Sequence, residues 1–276
     1  MGEMPGSPIL ELKGISKSFG AVQALNNVDF EVYSGEVVAL VGDNGAGKST
    51  LVKCISGINT IDSGQVFFEG NPVTIGGPKD TARLGIETVY QDLALCDNLD
   101  VVANLYLGRE EIRPIVSRVV HSLNEVTMEK RSIDTLKTLS VKIPSVRSVV
   151  ASLSGGQRQS VAVARAVMWN SKVVLLDEPT AALGVAQTRM VLDLIKQLRQ
   201  QGLAVVVISH NLVDVFDVAD RIIVLRLGRR VGTYTTKTTR SDQIVAAITG
   251  AEFGEVEEVL NGNKSEEGLS DEHHVG

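Results

Sequence analysis

Two kinds of apolar pattern follow one another along the chain. Leu10-Glu-Leu12 and Val28-Asp-Phe30-Glu-Val32 place an apolar side chain at every second position, as antiparallel strands do when one face meets a core and the other meets water. Four later runs, Val37–Val41, Val173–Leu176, Leu203–Ile208 and Ile222–Leu225, are apolar throughout. Such runs predict strands covered by helices on both faces. Met190, Leu194, Ile195 and Leu198 recur at three- and four-residue spacing and predict a helix over 185–201. Strands alternating with helices make the chain α/β, with a parallel core and an antiparallel portion near its start.

From about Asp100 to Ser152 no continuous apolar strand stands out, while Ile133, Leu136 and Leu139 keep helical spacing. That segment reads as a helical insert. No repeat or low-complexity linker divides the chain. From Glu252 onward eight acids stand against one lysine with little apolar content, which predicts an unfolded, solvated tail.

Composition narrows the class. With 276 residues, 43 % hydrophobic, the chain is long enough to bury a sizeable core. No apolar run reaches the roughly 18 residues a membrane helix needs, and the first residues lack a secretory pattern. The two cysteines, Cys54 and Cys96, have no CxxC or histidine-rich neighbour, so both read as small core residues rather than a disulfide or zinc site. A net charge of −6 counts against a nucleic-acid surface, and the short basic stretch Arg226-Leu-Gly-Arg-Arg230 reads as a solvated turn after a strand.

The candidate chemistry begins where Val37–Val41 runs into Gly42-Asp-Asn44-Gly45-Ala46-Gly47-Lys48-Ser49-Thr50. This matches G-x-x-x-x-G-K-S/T in a strand–loop–helix setting, the pattern of a phosphate-binding loop. Gly45 and Gly47 let backbone N–H groups approach phosphate oxygens. Lys48 reaches the β- and γ-phosphates, and Ser49 offers a hydroxyl to Mg²⁺. A second apolar strand ends in Asp177-Glu178-Pro179, and adjacent strand residues point to opposite sides. Asp177 is expected at the Mg²⁺ shell and Glu178 at the attacking water. A third strand delivers Ser209-His210 to the same edge, where His210 is expected to sense the γ-phosphate.

Taken together these residues resemble the ATP-binding subunits of ABC transporters, over about residues 8 to 250. The resemblance implies a P-loop NTPase (RecA-like) core with an antiparallel β subdomain and a helical subdomain inserted at about 100–165, ahead of the acidic tail at 251–276. Leu153-Ser154-Gly155-Gly156-Gln157 looks like the family's signature, Gln91 after Tyr90 like its Q-loop, and His210 like its switch histidine. Phe19 stands at the family's adenine-stacking aromatic, where a flat π face suits a purine. The implied cofactors are ATP and Mg²⁺, the metal held by Ser49, Gln91 and Asp177.

In this family two ATPase subunits pair head to tail, and the signature of one closes over ATP held by the other. Ser154 would then supply a hydroxyl, and the helix expected from Gln157 to Trp169 would aim its positive end at the γ-phosphate. Carrying one phosphate loop and one signature, the chain is expected to form a homodimer. Gly184 departs from the aspartate common there in the family, which leaves cross-talk between the two sites open.

The stretch from Thr88 to Glu110, with Ala181-Ala-Leu-Gly184, is similar to single-domain bacterial monosaccharide importers of the ribose, xylose and fructose type. That implies transmembrane permease partners, an extracytoplasmic sugar-binding protein reached through them, and a place at the cytoplasmic face of the membrane. An ABC ATPase serving amino acids, peptides or lipids shares every nucleotide motif and stands as the alternative. A soluble ABC protein acting on ribosomes or DNA would be expected to bring tandem units, basic arms or coiled coils.

Overall fold

A computed structural model describes residues 6–116 and 120–251. The acidic tail expected at 251–276 lies, from residue 252 on, outside the described residues.

Four strands near the start form one antiparallel sheet in the order β2 (Val22–Val32), β1 (Leu10–Phe19), β4 (Ser63–Phe68), β5 (Asn71–Val73). A six-stranded sheet follows in the order β12 (Arg229–Thr235), β11 (Arg221–Arg226), β3 (Val37–Val41), β10 (Ala204–Ile208), β9 (Val173–Asp177), β6 (Ile86–Val89). All its neighbours run parallel except β11 and β12, which form a hairpin.

The continuous apolar runs are explained by what each face of this sheet meets. Val37, Ala39 and Val41 join one core with Val174, Leu176, Val205 and Val207. That core is capped by α5 (Gly155–Val167), α6 (Val185–Gln200), α7 (Leu212–Val218) and α8 (Ser241–Thr249). Val38 and Leu40 turn the other way and join Val173, Leu175, Val206 and Ile208. There they meet α1 (Lys48–Ile55) and the inner face of the antiparallel sheet, including Leu12, Leu25 and Phe30. Both faces are dry, so neither can alternate with polar residues. The antiparallel sheet has one dry face, and β12, at the other sheet's edge, alternates between exposed and half-buried positions.

An ionic bridge ties the sheets together at one edge. Arg221 on β11 donates to the Glu31 Oε1 carboxylate oxygen of β2 at 2.9 Å, and Arg230 on β12 reaches Oε2 of the same residue at 2.9 Å.

The segment between β6 and α5 holds α3 (Val101–Tyr106), α4 (Glu125–Thr138) and an antiparallel pair of strands, β7 (Ile112–Val116) with β8 (Val120–Leu123). The insert is therefore not wholly helical. Strands of four and five residues are too brief to leave a readable alternation, which is why only the helical spacing registers in the sequence. Earlier in the chain, α2 (Pro78–Leu84) opens on proline at its first position and leads into β6. Against the expectation of Gln157 to Trp169, α5 starts and stops two residues earlier. The start is set by its cap: the Ser154 hydroxyl accepts from the Gln157 N–H at 3.3 Å while the Gln157 side-chain oxygen accepts from the Ser154 N–H at 3.0 Å.

Cys54 is buried among the α1 core residues, and burial pushes its thiol up to about 11. Cys96 is only half-buried. Brief alkylation of the native protein at pH 8 is therefore expected to label Cys96 and spare Cys54 until the chain is unfolded, as peptide mass spectrometry would read.

Candidate functional site

Parallel pairing in register brings three strand ends to one edge. Leu40 of β3 lies opposite Ile208 of β10, and Ile208 lies opposite Asp177 of β9. The next residues in each strand are those the sequence singled out: the loop from Gly42, Glu178, and Ser209-His210. Val89 of β6 pairs with Leu176, so exposed Gln91, two residues further on, leaves the sheet at the same edge.

The loop is built as the pattern demands. Gly47 caps α1 with φ 103°, and a Cβ there would stand 2.7 Å from the Ala24 carbonyl oxygen, so only glycine fits. Lys48 folds back along the loop, its Nζ donating to the carbonyl oxygens of Gly42 at 2.7 Å and Asp43 at 3.0 Å. Burial pulls the Lys48 ammonium below its usual value, opposed by the charges of Glu178, Asp43 and Asp177. Burial pushes Asp177 upward, the Glu178 carboxylate adds to the push, and Lys48 and Lys53 resist it. Two carboxylates and one lysine thus share a small, partly dry space. Ser49 is exposed and Thr50 half-buried beside them on α1.

Glu178 carries a strained backbone, with φ 49°, in the left-handed region that disfavours a side chain. Its N–H is held by the Ile208 carbonyl at 2.9 Å, and its Oε1 lies 2.9 Å from Nδ1 of His210. Adjacent β10 therefore fixes both the backbone and the carboxylate of the residue at the end of β9. Such strain persists only where the surroundings enforce it.

A cleft of about 500 Å³ opens over the loop, lined by Asn44, Gly45, Ala46, Gly47, Lys48, Ser49 and Thr50. Its far side is formed by Val22, Gln23 and Ala24 of β2 and by Leu227-Gly228 in the β11–β12 turn. Sequence reasoning missed that far wall, because nothing in a β-turn or a strand start announces a distant loop. The basic stretch at 226–230 is indeed a turn, and Leu227 (φ 49°) and Gly228 (φ 73°) at its centre face the cleft. Phe19 is not among the lining residues: at the end of β1 it is half exposed, with Lys17 Nζ 5.6 Å from its ring centre.

The signature residues stand at the start of α5 and do not line that cleft. Gly155 and Gly156 are small for a reason internal to the chain. A Cβ on Gly156 would come within 3.0 Å of Gln187 Cβ, and one on Gly155 within 2.9 Å of Leu183, so the glycine pair lets α5 pack against the start of α6. The Ser154 hydroxyl accepts the cap bond, leaving its proton to donate outward, and Gln157 also donates to the Lys142 carbonyl at 3.3 Å. Gly184 caps α6 without any side-chain hydrogen bond.

A glycine-rich turn leading from a buried parallel strand into a helix, with a lysine folded onto it and an acidic strand end alongside, defines a phosphate-loop nucleotide-binding protein. Residues 25–181 match the ABC transporter family. The chain is 48 % identical over 250 residues to the fructose import ATP-binding protein of Rhizobium meliloti, covering 90 % of this chain and 96 % of that one. It is 46 % identical over 250 residues to the xylose/arabinose import ATP-binding protein of Sulfolobus acidocaldarius, covering 91 % and 97 %. A ribose import ATP-binding protein of Yersinia pestis is 39 % identical over 244 residues, 88 % of this chain but only 46 % of its relative, of which this chain spans about half. Among solved structures, an ATP-binding cassette of an ABC transporter in its ADP conformation superimposes with a TM-score of 0.74 at 25 % identity, over 91 % of this chain and 98 % of the other. The chain belongs to the ABC transporter family and is an ATP-binding ATPase. The resemblance read from its motifs, and the fold expected with it, hold.

The strain at Glu178 yields a test of stability apart from activity. Glu178→Gly removes the left-handed penalty, while the loss of a carboxylate that crowds Asp177 is offset by the loss of the charge that supports Lys48. The pair with His210 contributes little, because the His210 side chain is exposed and its charge is screened. The variant is expected to melt about 2 to 4 °C above the parent, equivalent to ~1 kcal/mol at this chain length, when followed by calorimetry without nucleotide.

Proposed function

We propose that the protein is the ATP-hydrolysing subunit of a monosaccharide importer. It would sit at the cytoplasmic face of the membrane, held there by permease subunits that receive sugar from an extracytoplasmic binding protein. The observation that carries the sugar class is the full-length likeness to the fructose import ATP-binding protein, at 48 % identity over 96 % of it. Among the described residues no helix is long and apolar enough to cross a membrane, which agrees with attachment through a partner.

The roles proposed at the site follow from its geometry. Backbone N–H groups of Asn44 to Lys48 cradle the phosphates, and the Lys48 ammonium leaves its loop carbonyls for the β- and γ-phosphate oxygens. Thr50 and Gly42 complete the loop, and Phe19, exposed at the end of β1, is available to the adenine. Ser49, Gln91 and Asp177 together offer a hydroxyl, an amide oxygen and a carboxylate, the hard oxygen set that suits Mg²⁺. The crowding of Asp177 by Glu178 is what a cation there would relieve. Mg²⁺ supplies charge neutralisation of the β- and γ-phosphates when bound. Glu178 orients and polarises the attacking water, and His210, 2.9 Å away, holds that carboxylate in place.

Ser154, Gly155, Gly156 and Gln157, none of which lines the cleft over the loop, are assigned to ATP held by a second copy. Closure of such a homodimer would then require ATP. A bound ligand can shift a conformation only through contacts made in that conformation alone.

Three measurements test this reading. Lys48→Ala is expected to weaken ATP binding about tenfold to hundredfold, as loss of a charge-assisted bond would. Glu178→Gln is expected to bind ATP normally, to lose about 10² to 10⁴ of the turnover, and to accumulate as a dimer in ATP and Mg²⁺ by light scattering. Undiminished hydrolysis by that variant removes Glu178 from the role. The tagged chain purified from gently solubilised native membranes is expected to bring a multi-helix permease with it. Recovery with ribosomes or DNA and no membrane protein would sink the transport reading.

A further inference from the structure

Beyond Gln91 the chain makes a turn that its own sequence does not favour. Leu93 and Ala94 both adopt left-handed backbone conformations, with φ 58° and 45°, although neither is a glycine or an asparagine. Local bonds alone are few: Leu93 N–H reaches the Tyr90 carbonyl at 2.9 Å and Ala94 N–H the Asp92 carbonyl at 2.7 Å. The turn is held from outside. Arg165, on α5, donates one guanidinium N–H to the Ala94 carbonyl at 2.7 Å and another to the Leu93 carbonyl at 3.1 Å. Burial pulls the Arg165 guanidinium below its usual value, with neighbouring Arg109 adding to that and Glu87 opposing it. Among the described residues the half-dry Arg165 guanidinium forms no ion pair within 4 Å, and its hydrogen bonds go to those two carbonyls. The next few residues are held by fully buried Asn104 on α3, whose side chain accepts from the Cys96 N–H at 2.7 Å and donates to the Cys96 and Asp100 carbonyls at 3.0 Å.

Arg165 lies about 15 Å along α5 from Gly155, at 1.5 Å per residue. The helix between is rigid, its Val161, Ala162, Val163 and Ala164 all buried in the core. A shift at the Ser154 end must therefore move the guanidinium, and the fork moves the turn.

We propose that Arg165 is a positioning residue that holds the Leu93–Ala94 turn in register with α5 and so couples the signature end of that helix to Gln91 of the same chain. The catalytic half of this inference rests on the role proposed above for Gln91. The mechanical half does not.

The variants are Arg165→Met, which keeps the buried stem but has no donor, and Arg165→Lys, which keeps the charge but cannot fork to two carbonyls. In the full-length protein without nucleotide, amide exchange in peptides covering 92–96 is expected to accelerate about tenfold or more in Arg165→Met, less in Arg165→Lys, with exchange over 161–164 unchanged. In the ATPase assay Arg165→Met is expected to lower kcat about tenfold to hundredfold, as a small misplacement does, with KM for ATP within about twofold. Combined with Gln91→Ala, it is expected to cost no more than the larger single loss. Parent-like exchange at 92–96 in both variants overturns the inference whatever the enzymology, as does an acceleration that spreads equally through 161–164. Multiplying losses in the double variant overturn the coupling to Gln91. A parent protein that hydrolyses no ATP, with exchange at 92–96 accelerated as expected, overturns the proposed function and leaves the clamp standing.

Discussion

Dryness on both faces of the central parallel strands is the constraint on which the rest depends. A strand such as Val37–Val41, with every residue fully buried, has no polar side chain along its length. Polar groups can appear only where it stops. Since β3, β9 and β10 are aligned in register, they stop at one edge, and their first polar successors converge there. The phosphate loop, the Asp177-Glu178 pair and His210 are thus neighbours because of where the apolar runs end. This is why ligand sites in parallel sheets gather at strand carboxyl ends.

The same constraint explains what the sequence makes legible. Strands dry on both faces announce themselves as unbroken apolar runs, and β3, β9, β10 and β11 were each readable to within a residue or two. The edge strand β6, Ile-Glu-Thr-Val, carries two polar residues in four and was not. The phosphate loop was legible because its glycines and lysine are fixed by backbone geometry within a few consecutive residues. The far wall of the cleft, Val22 to Ala24 and Leu227-Gly228, was not, since it comes from two segments some two hundred positions apart with no chemistry of their own. Arg165 and Asn104 were invisible for a related reason. Both act on backbone carbonyls, and a carbonyl leaves no trace in the identity of the residue that owns it.

The glycine pair of the signature shows how one residue type can answer more than one demand. Close approach to a phosphate is the demand that the resemblance implies for residues without a Cβ. The structure adds another within the single chain, since Gln187 and Leu183 occupy the space where side chains at 156 and 155 would go. Two independent demands fall on the same atoms, and the packing one operates whether or not any ligand is present.

The reciprocal bonds between Ser154 and Gln157 have a further consequence for assembly. Both side chains have already surrendered their rotamer freedom in the isolated chain, so a docking partner meets a surface whose shape is set. Ordering a flexible side chain at an interface costs about 0.5–1.5 kcal/mol, and here that cost falls on folding instead of on association. A second surface that docks on this helix end would therefore meet donors and acceptors already in place.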